Sequence, residues 1–101
     1  MSTKTAAFEM ARGNALDLFV KTTLPHCEPI INRAISFHPQ IRERVWATRV
    51  EWDPSLKRAA GQFQTANGIM LHPGLLAADR KHLVETFLHE LAHAMQFYKY
   101  G

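Results

Sequence analysis

The chain has 101 residues, of which 47% are hydrophobic and 21% charged. This composition is ordinary for one soluble globular domain, and it excludes a chain that is disordered over most of its length. No run of about 18 apolar residues is present, so we expect no membrane-spanning helix. Residues 1–12 lack the apolar core of a secretion signal, and we expect none.

The single cysteine, Cys27, excludes an internal disulfide and a cysteine-rich metal module. We expect it to be a small, partly buried apolar residue of a protein that resides in a reducing compartment, the cytoplasm. The formal net charge of +3 is mildly basic. It permits contact with nucleic acid without requiring it.

The N-terminal part of the chain predicts two helices. Over residues 5–23, apolar side chains recur every three or four positions. Gly13 and Asn14 weaken the middle of this segment, and Leu24 followed by Pro25 ends it. Residues 28–37 show the same spacing and predict a second, shorter helix.

In the middle of the chain, mainly apolar residues recur at every second position instead of every third or fourth. Trp46, Thr48, Val50 and Trp52 alternate with polar or small residues and predict a strand with one buried face. A second alternating segment covers residues 58–65, and a third covers residues 69–71. The pair Asn67-Gly68 is a strong hairpin signal between them. We therefore expect a small antiparallel sheet of three strands.

The C-terminal part predicts one long helix from a capping Asp79 to about Tyr98. Its apolar stripe consists of Leu83, Phe87, Leu91, Ala94 and Tyr98, widened by Val84, Leu88 and Met95. The order of elements is two helices, three strands and a helix. We expect one α+β domain over residues 1–101.

The last predicted helix carries the sequence His89-Glu90-Leu91-Ala92-His93. Histidines at positions i and i+4 lie on one helix face, about 40° apart in rotation and about 6 Å apart along the axis. Two imidazole nitrogens can then bind one Zn²⁺. Glu90 lies close enough to take a proton from a metal-activated water. The pattern predicts that His89 and His93 bind zinc and that Glu90 is the catalytic base.

A catalytic zinc ion needs a third protein ligand, and four other histidines are available. His82 lies about 10 Å before His89 along the helix, so it cannot bind one metal ion together with both motif histidines. His72 follows the third strand and can line a cleft. His26 and His38 flank prolines, and we expect them at the surface. Tyr100 falls on the face of the two motif histidines, where it could stabilise an oxyanion, but packing or fraying near the terminus is its expected role.

Several segments taken together resemble the SprT-like zinc metalloproteases, which include bacterial SprT proteins and the catalytic domain of Spartan. The resemblance covers roughly residues 7–101 and is carried by Ala60-Gly61-Gln62, Asn67-Gly68-Ile69-Met70-Leu71-His72-Pro73, Leu83-Val84-Glu85-Thr86 and His89-Glu90-Leu91-Ala92-His93-Ala94. It implies a zincin-like fold in which His89 and His93 bind zinc and Glu90 is the general base. It also implies protein or peptide substrates, including proteins bound or crosslinked to DNA.

The chain departs from the family pattern at two places. His72 stands where the family usually has asparagine. The family's third zinc ligand is a histidine in an H-G segment shortly after the motif helix, and this sequence reaches Gly101 before such a segment. We expect a truncated form of the domain, with weak zinc binding and weak peptidase activity. Water, another chain or His72 is then left to fill the third position.

A second interpretation is a binding module that keeps the zincin scaffold without turnover. Basic residues are concentrated around the first strands, with Trp46 and Trp52 among them; they are Arg42, Arg44, Arg49, Lys57 and Arg58. Exposed aromatic rings beside basic groups can stack on single-stranded bases. We favour the simpler expectation that both tryptophans belong to the core and that the charges are solvated.

Overall fold

The computed structural model describes residues 14–57 and 59–101. Within these residues the chain forms four α-helices and a mixed sheet of four strands, so the α+β prediction is confirmed. The helices are α1 (Leu16–Thr23), α2 (Glu28–Ser36), α3 (Arg42–Ala47) and α4 (Arg80–Tyr100). The strands are β1 (Asn14–Ala15), β2 (Arg49–Trp52), β3 (Gly61–Gln64) and β4 (Gly68–Leu71).

The first predicted helix is shorter than expected in its described part. Helix α1 begins at Leu16, whereas Asn14 and Ala15 form β1 and pair with Val50 and Arg49 of β2. Asparagine is a poor helix former, and sheet pairing gives its backbone other partners. Residues 5–13 of the predicted helix lie outside the described residues. Helix α2 confirms the second predicted helix to within one residue at its end.

The strand predicted around Trp46 begins later than expected. The chain is helical through Ala47, and Thr48 ends α3 by donating its hydroxyl to the Arg44 carbonyl at 2.8 Å. An alternation seen at only four positions does not exclude a helix over its first half. Trp46 therefore belongs to α3, and only the segment from Arg49 to Trp52 is strand.

The prediction of a three-stranded antiparallel sheet is wrong. The observed strand order is β1-β2-β4-β3, with β2 and β4 parallel and the other two pairs antiparallel. The predicted hairpin is present, because Gln64 pairs with Gly68 across its turn. However, β4 rather than β3 lies beside β2. Alternation within a strand identifies its buried face, and the strand beside it is set by contacts distant in sequence.

The hairpin turn depends on Gly68. Its φ of +95° lies in a region that residues with a Cβ rarely adopt. A Cβ at this position would also collide with the backbone carbonyl of Arg49 in β2. Glycine is required here both by the turn and by the adjacent parallel strand.

Helix α4 packs across the sheet and positions the candidate site. Asp79 caps its first turn by accepting a hydrogen bond from the Lys81 amide at 3.1 Å, as predicted. The predicted apolar stripe is buried at Leu83, Phe87, Leu91 and Ala94. Its last member, Tyr98, is half-buried and shares a 2.6 Å hydrogen bond with Thr48.

One hydrophobic core joins the sheet to all four helices. Cys27 is fully buried in it, as expected for a small apolar residue. Trp46 and Trp52 are half-buried and pack against it, and Trp52 contacts Phe19 with ring centroids 5.9 Å apart. In residues 14–57 and 59–101, none of the helices combines the length and apolar character that a membrane crossing needs.

Candidate metal centre and cleft

The two motif histidines lie side by side on the exposed face of α4. The Nε2 atoms of His89 and His93 are 3.2 Å apart, and the rings meet edge to face with centroids separated by 4.7 Å. Two nitrogens that bind a tetrahedral zinc ion at about 2.0–2.1 Å are separated by about 3.3 Å. The observed separation therefore fits two ligands of one metal ion.

Glu90 is turned from the two histidines toward the sheet. Apart from Thr48, it is the only buried polar or charged side chain in the described part of the chain. Its carboxylate has no hydrogen-bond partner among those residues, where every fully enclosed side-chain oxygen has one. The Glu90 carboxylate therefore keeps contact with solvent at the edge of a cleft. A carboxylate in this position can accept a proton from a water molecule.

Strand β3 approaches α4 closely at Gly61. A Cβ placed there would lie 2.8 Å from the Thr86 γ-methyl and 3.1 Å from Cγ of Glu90. The small residue therefore allows the strand to lie directly beside the candidate base. Sequence reasoning did not assign Gly61 or Thr86 to the site, because their contact joins segments that are distant along the chain.

A cleft of about 290 Å³ lies where β3 meets α4. Its walls include Gly61, Thr86, His89 and Glu90, together with Ala60 and His82. One motif histidine and the candidate base thus open into the same space. The cleft leaves room for a water molecule or a peptide carbonyl between these two side chains.

The outer edge of β3 borders this cleft. The carbonyl of Ala60 accepts a hydrogen bond from the His72 amide at 2.8 Å, which makes these two residues a hydrogen-bonded antiparallel pair. Such pairs alternate along a ladder, so Gly61 and Phe63 direct their N–H and C=O groups away from β4. No strand of the described residues covers that edge.

Among the described residues, the histidine pair has no third ligand beside it. Within residues 14–57 and 59–101, no group of three His, Cys, Asp or Glu side chains is arranged to hold a metal ion. His72 does not line the cleft with His89, and its Nδ1 accepts a hydrogen bond from the Gly74 amide at 2.9 Å. His82 lines the cleft with His89. His26 is exposed and His38 half-buried, both in the helical half of the chain.

Two other predicted features lie outside the cleft walls. Tyr100 is 76% exposed at the end of α4, and the Lys99 ammonium lies 5.5 Å from the centre of its ring. Arg44 stacks over Tyr98 at 4.3 Å, and Arg49 pairs with Glu51 at 2.9 Å. These two arginines already have protein partners. Arg58 lies outside the described residues.

Together, these observations define an α+β domain whose long helix presents two histidines at ligand spacing and a buried glutamate, beside a sheet edge that no described strand covers. The SprT-like family model matches residues 32–101. The chain belongs to the SprT-like family, which confirms the resemblance inferred from its motifs. Neither the search of curated proteins nor the search of solved structures returned a match.

Proposed function

We propose that the protein is a zinc-dependent peptidase. The observation that carries this proposal is the 3.2 Å separation of the Nε2 atoms of His89 and His93. Glu90 directly follows His89 in the chain, and both residues line the same cleft. Membership in the SprT-like family supports it, since that family is associated with metalloprotease activity. His89 and His93 would hold the ion, which supplies Lewis acidity that lowers the pKa of water toward 7 when bound.

Glu90 takes the proton in this mechanism. Its carboxylate accepts a proton from the attacking water and later delivers it to the amine that leaves the cleaved peptide bond. The carboxylate is available for this role because no protein donor in the described residues occupies it. Gly61 leaves just enough space for this side chain, since a Cβ there would lie 3.1 Å from Cγ of Glu90.

The outer edge of β3 binds the substrate. An extended peptide can add to this edge through the outward N–H and C=O groups of Gly61 and Phe63. Gly61 lies against Glu90, so a peptide bond paired there is next to the base. The substrates are therefore extended or unfolded protein segments, and DNA-associated proteins are included by the family resemblance.

The second candidate is a binding module for protein or DNA that keeps this scaffold without turnover. The lack of a three-ligand group among the described residues favours it. With two histidines as its only protein ligands, zinc is held more weakly and a water is aimed less well than in a three-ligand site. Zinc binding is common to both candidates, whereas cleavage that depends on Glu90 belongs to the peptidase alone.

Zinc binding is tested with the double substitution His89→Ala and His93→Ala. The parent protein should bind roughly one equivalent of zinc in an equilibrium titration, and the variant should lose this binding. His26→Ala combined with His38→Ala is the matched control, since both histidines lie in the helical half of the chain. Stoichiometric zinc in the His89/His93 variant would overturn the assignment.

Turnover is tested with Glu90→Gln. The amide keeps the size of the side chain but cannot take the proton, so we expect cleavage of casein and of a DNA-bound protein to fall by about 10²–10⁴-fold. Zinc content should not change. Glu85→Gln is the control, because Glu85 lies on the same helix and lines the same cleft. A Glu90→Gln protein that cleaves at the parent rate excludes the proposed base, and a parent protein that binds zinc without cleaving favours the second candidate.

A further inference from the structure

A second hollow of about 390 Å³ lies next to the candidate active-site cleft. Ala59, Ala60 and His82 line both spaces, so the two lie side by side. The hollow lies just before Gly61 in the chain, where a peptide paired with β3 extends past the catalytic glutamate. A peptide that pairs with β3 beside Glu90 would therefore carry neighbouring side chains toward the hollow.

The side chains around this hollow carry nitrogen donors. Lys57, His72 and His82 all line it, and its described walls contain no Asp or Glu. Lysine offers an ammonium group, and each histidine offers a ring N–H in its neutral form and two in its charged form. This chemistry fits an anionic group.

The ring of His72 is held in one orientation. Its Nδ1 accepts a hydrogen bond from the Gly74 amide at 2.9 Å, so a neutral ring carries its proton on Nε2. A Cβ on Gly74 would lie 2.9 Å from this same nitrogen and would displace the ring. The local turn thus keeps His72 as a donor at its free nitrogen.

The floor of the hollow is apolar, and the acidic groups near it lie outside its described walls. Leu75 is buried beneath it, and Ala60 and Ala78 contribute small side chains. Asp53 is the acidic group that interacts with His72. Hydrogen bonds from Ser55 lower the pKa of Asp53, and the charge of His72 acts in the same direction. Asp53 does not line the hollow, whereas the side chain of Lys57 does, and Glu85 and Glu90 lie on the walls of the adjoining cleft.

We propose that this hollow is a specificity pocket that binds the carboxylate of an Asp or Glu side chain of the substrate. Its apolar floor accommodates the methylene groups, and Lys57, His72 and His82 surround the carboxylate. The proposal rests on the peptidase function, because the same extended segment then occupies both the pocket and the β3 edge. It assigns a preference for acidic residues near the cleaved bond.

Binding without turnover tests the pocket separately from the chemistry. Fluorescent peptides in which a single Glu is moved along an otherwise neutral sequence are titrated onto zinc-loaded Glu90→Gln protein, each beside its Gln counterpart. At one position the Glu peptide should bind about threefold to fivefold more tightly than the Gln peptide. This preference should weaken with added salt, because the pocket is open to solvent.

The combined substitution Lys57→Gln and His82→Gln should bring this binding ratio to about one. Lys81→Gln is the control, since it removes an exposed positive charge that does not line the hollow. Equal binding of Glu and Gln peptides at every position overturns the proposal, as does an equal loss of preference in Lys81→Gln. Peptide cleavage by the parent protein without an acidic preference also overturns it. Conversely, an acidic preference in a protein that cleaves nothing retains the pocket and refutes the peptidase.

Discussion

Gly61→Ala tests the close packing of β3 against α4. The new methyl group would lie 2.8 Å from the Thr86 γ-methyl, 3.1 Å from Cγ of Glu90 and 3.2 Å from a Leu71 methyl group. Threonine is β-branched and stiff on a helix, so it cannot rotate away easily. The strand and the helix must then separate, or Glu90 must move.

The size of the effect follows from two opposing contributions. Overpacking a tight contact costs about 1–3 kcal/mol. Replacing glycine by alanine where the backbone permits it recovers about 0.4–1 kcal/mol by restricting the unfolded chain. We expect a net loss of about 1–2 kcal/mol in the free energy of unfolding, or a fall of about 5–15 °C in Tm.

Urea unfolding followed by circular dichroism measures this loss. Gln62→Ala is the control, because Gln62 is the exposed neighbour in the same strand and should change stability by less than about 0.5 kcal/mol. Thr86→Ala should restore part of the stability of Gly61→Ala, with a coupling of about 1 kcal/mol in the double-mutant cycle. A Gly61→Ala protein as stable as the parent, or additive effects in the cycle, would refute the packing argument.

Three further outcomes are expected. Gly68→Ala should destabilise the fold by at least about 2 kcal/mol in urea unfolding, because a Cβ there meets the Arg49 carbonyl and the backbone φ is +95°. Tyr98→Phe should cost about 0.5–1.5 kcal/mol in the same assay through its lost hydrogen bond to Thr48, and an unchanged unfolding midpoint would contradict this. Burial raises the pKa of the Cys27 thiol, so a thiol reagent should react slowly with the native protein and quickly in urea. Because the buried thiol must stay neutral, the stability of the fold is unaffected by ionisation of Cys27 below the unfolded-state pKa of about 8.5. The free energy of unfolding then falls as pH rises from that value through the higher pKa of the folded state.

The elements predicted best are those with strong local signals. Helix α4 has a side-chain cap at Asp79 and a stripe of apolar residues along its length, and both are present in the structure. The hairpin was predictable from Asn67-Gly68, since the turn needs a positive φ that Gly68 supplies. Each signal comes from residues close in sequence, whose preferences agree with the final fold.

The sequence-based predictions that were wrong depend mainly on contacts between segments that are distant along the chain. The parallel pairing of Val50 with Ile69 and of Trp52 with Leu71 has no local signature, because alternation is the same for parallel and antiparallel neighbours. Strand β1 is too short to show a period, and its existence depends on pairing with β2. The boundary between α3 and β2 at Thr48 was hidden because helical and alternating patterns overlap there.

The candidate site likewise has features that are local in sequence and features that depend on distant contacts. The spacing of His89 and His93 on one helix is a local property, and the structure places their nitrogens within reach of one ion. The close approach of Gly61 and the hollow around His72 and His82 arise only when β3 and α4 pack together. These features therefore could not be predicted from the motif.

We therefore expect the substitution Gly61→Ala to affect zinc binding and proton transfer differently. The two histidines are exposed and contact each other on α4, whereas Glu90 contacts Gly61 of the neighbouring strand. Gly61→Ala should therefore leave zinc affinity within about twofold, while a displaced carboxylate lowers cleavage by about 10²-fold. Glu90→Asp, whose carboxylate is set back by one methylene, is the reference for a misplaced base. Zinc titration and casein cleavage of both variants test the idea, and a loss of zinc that parallels the loss of cleavage in Gly61→Ala would show that β3 positions the whole centre.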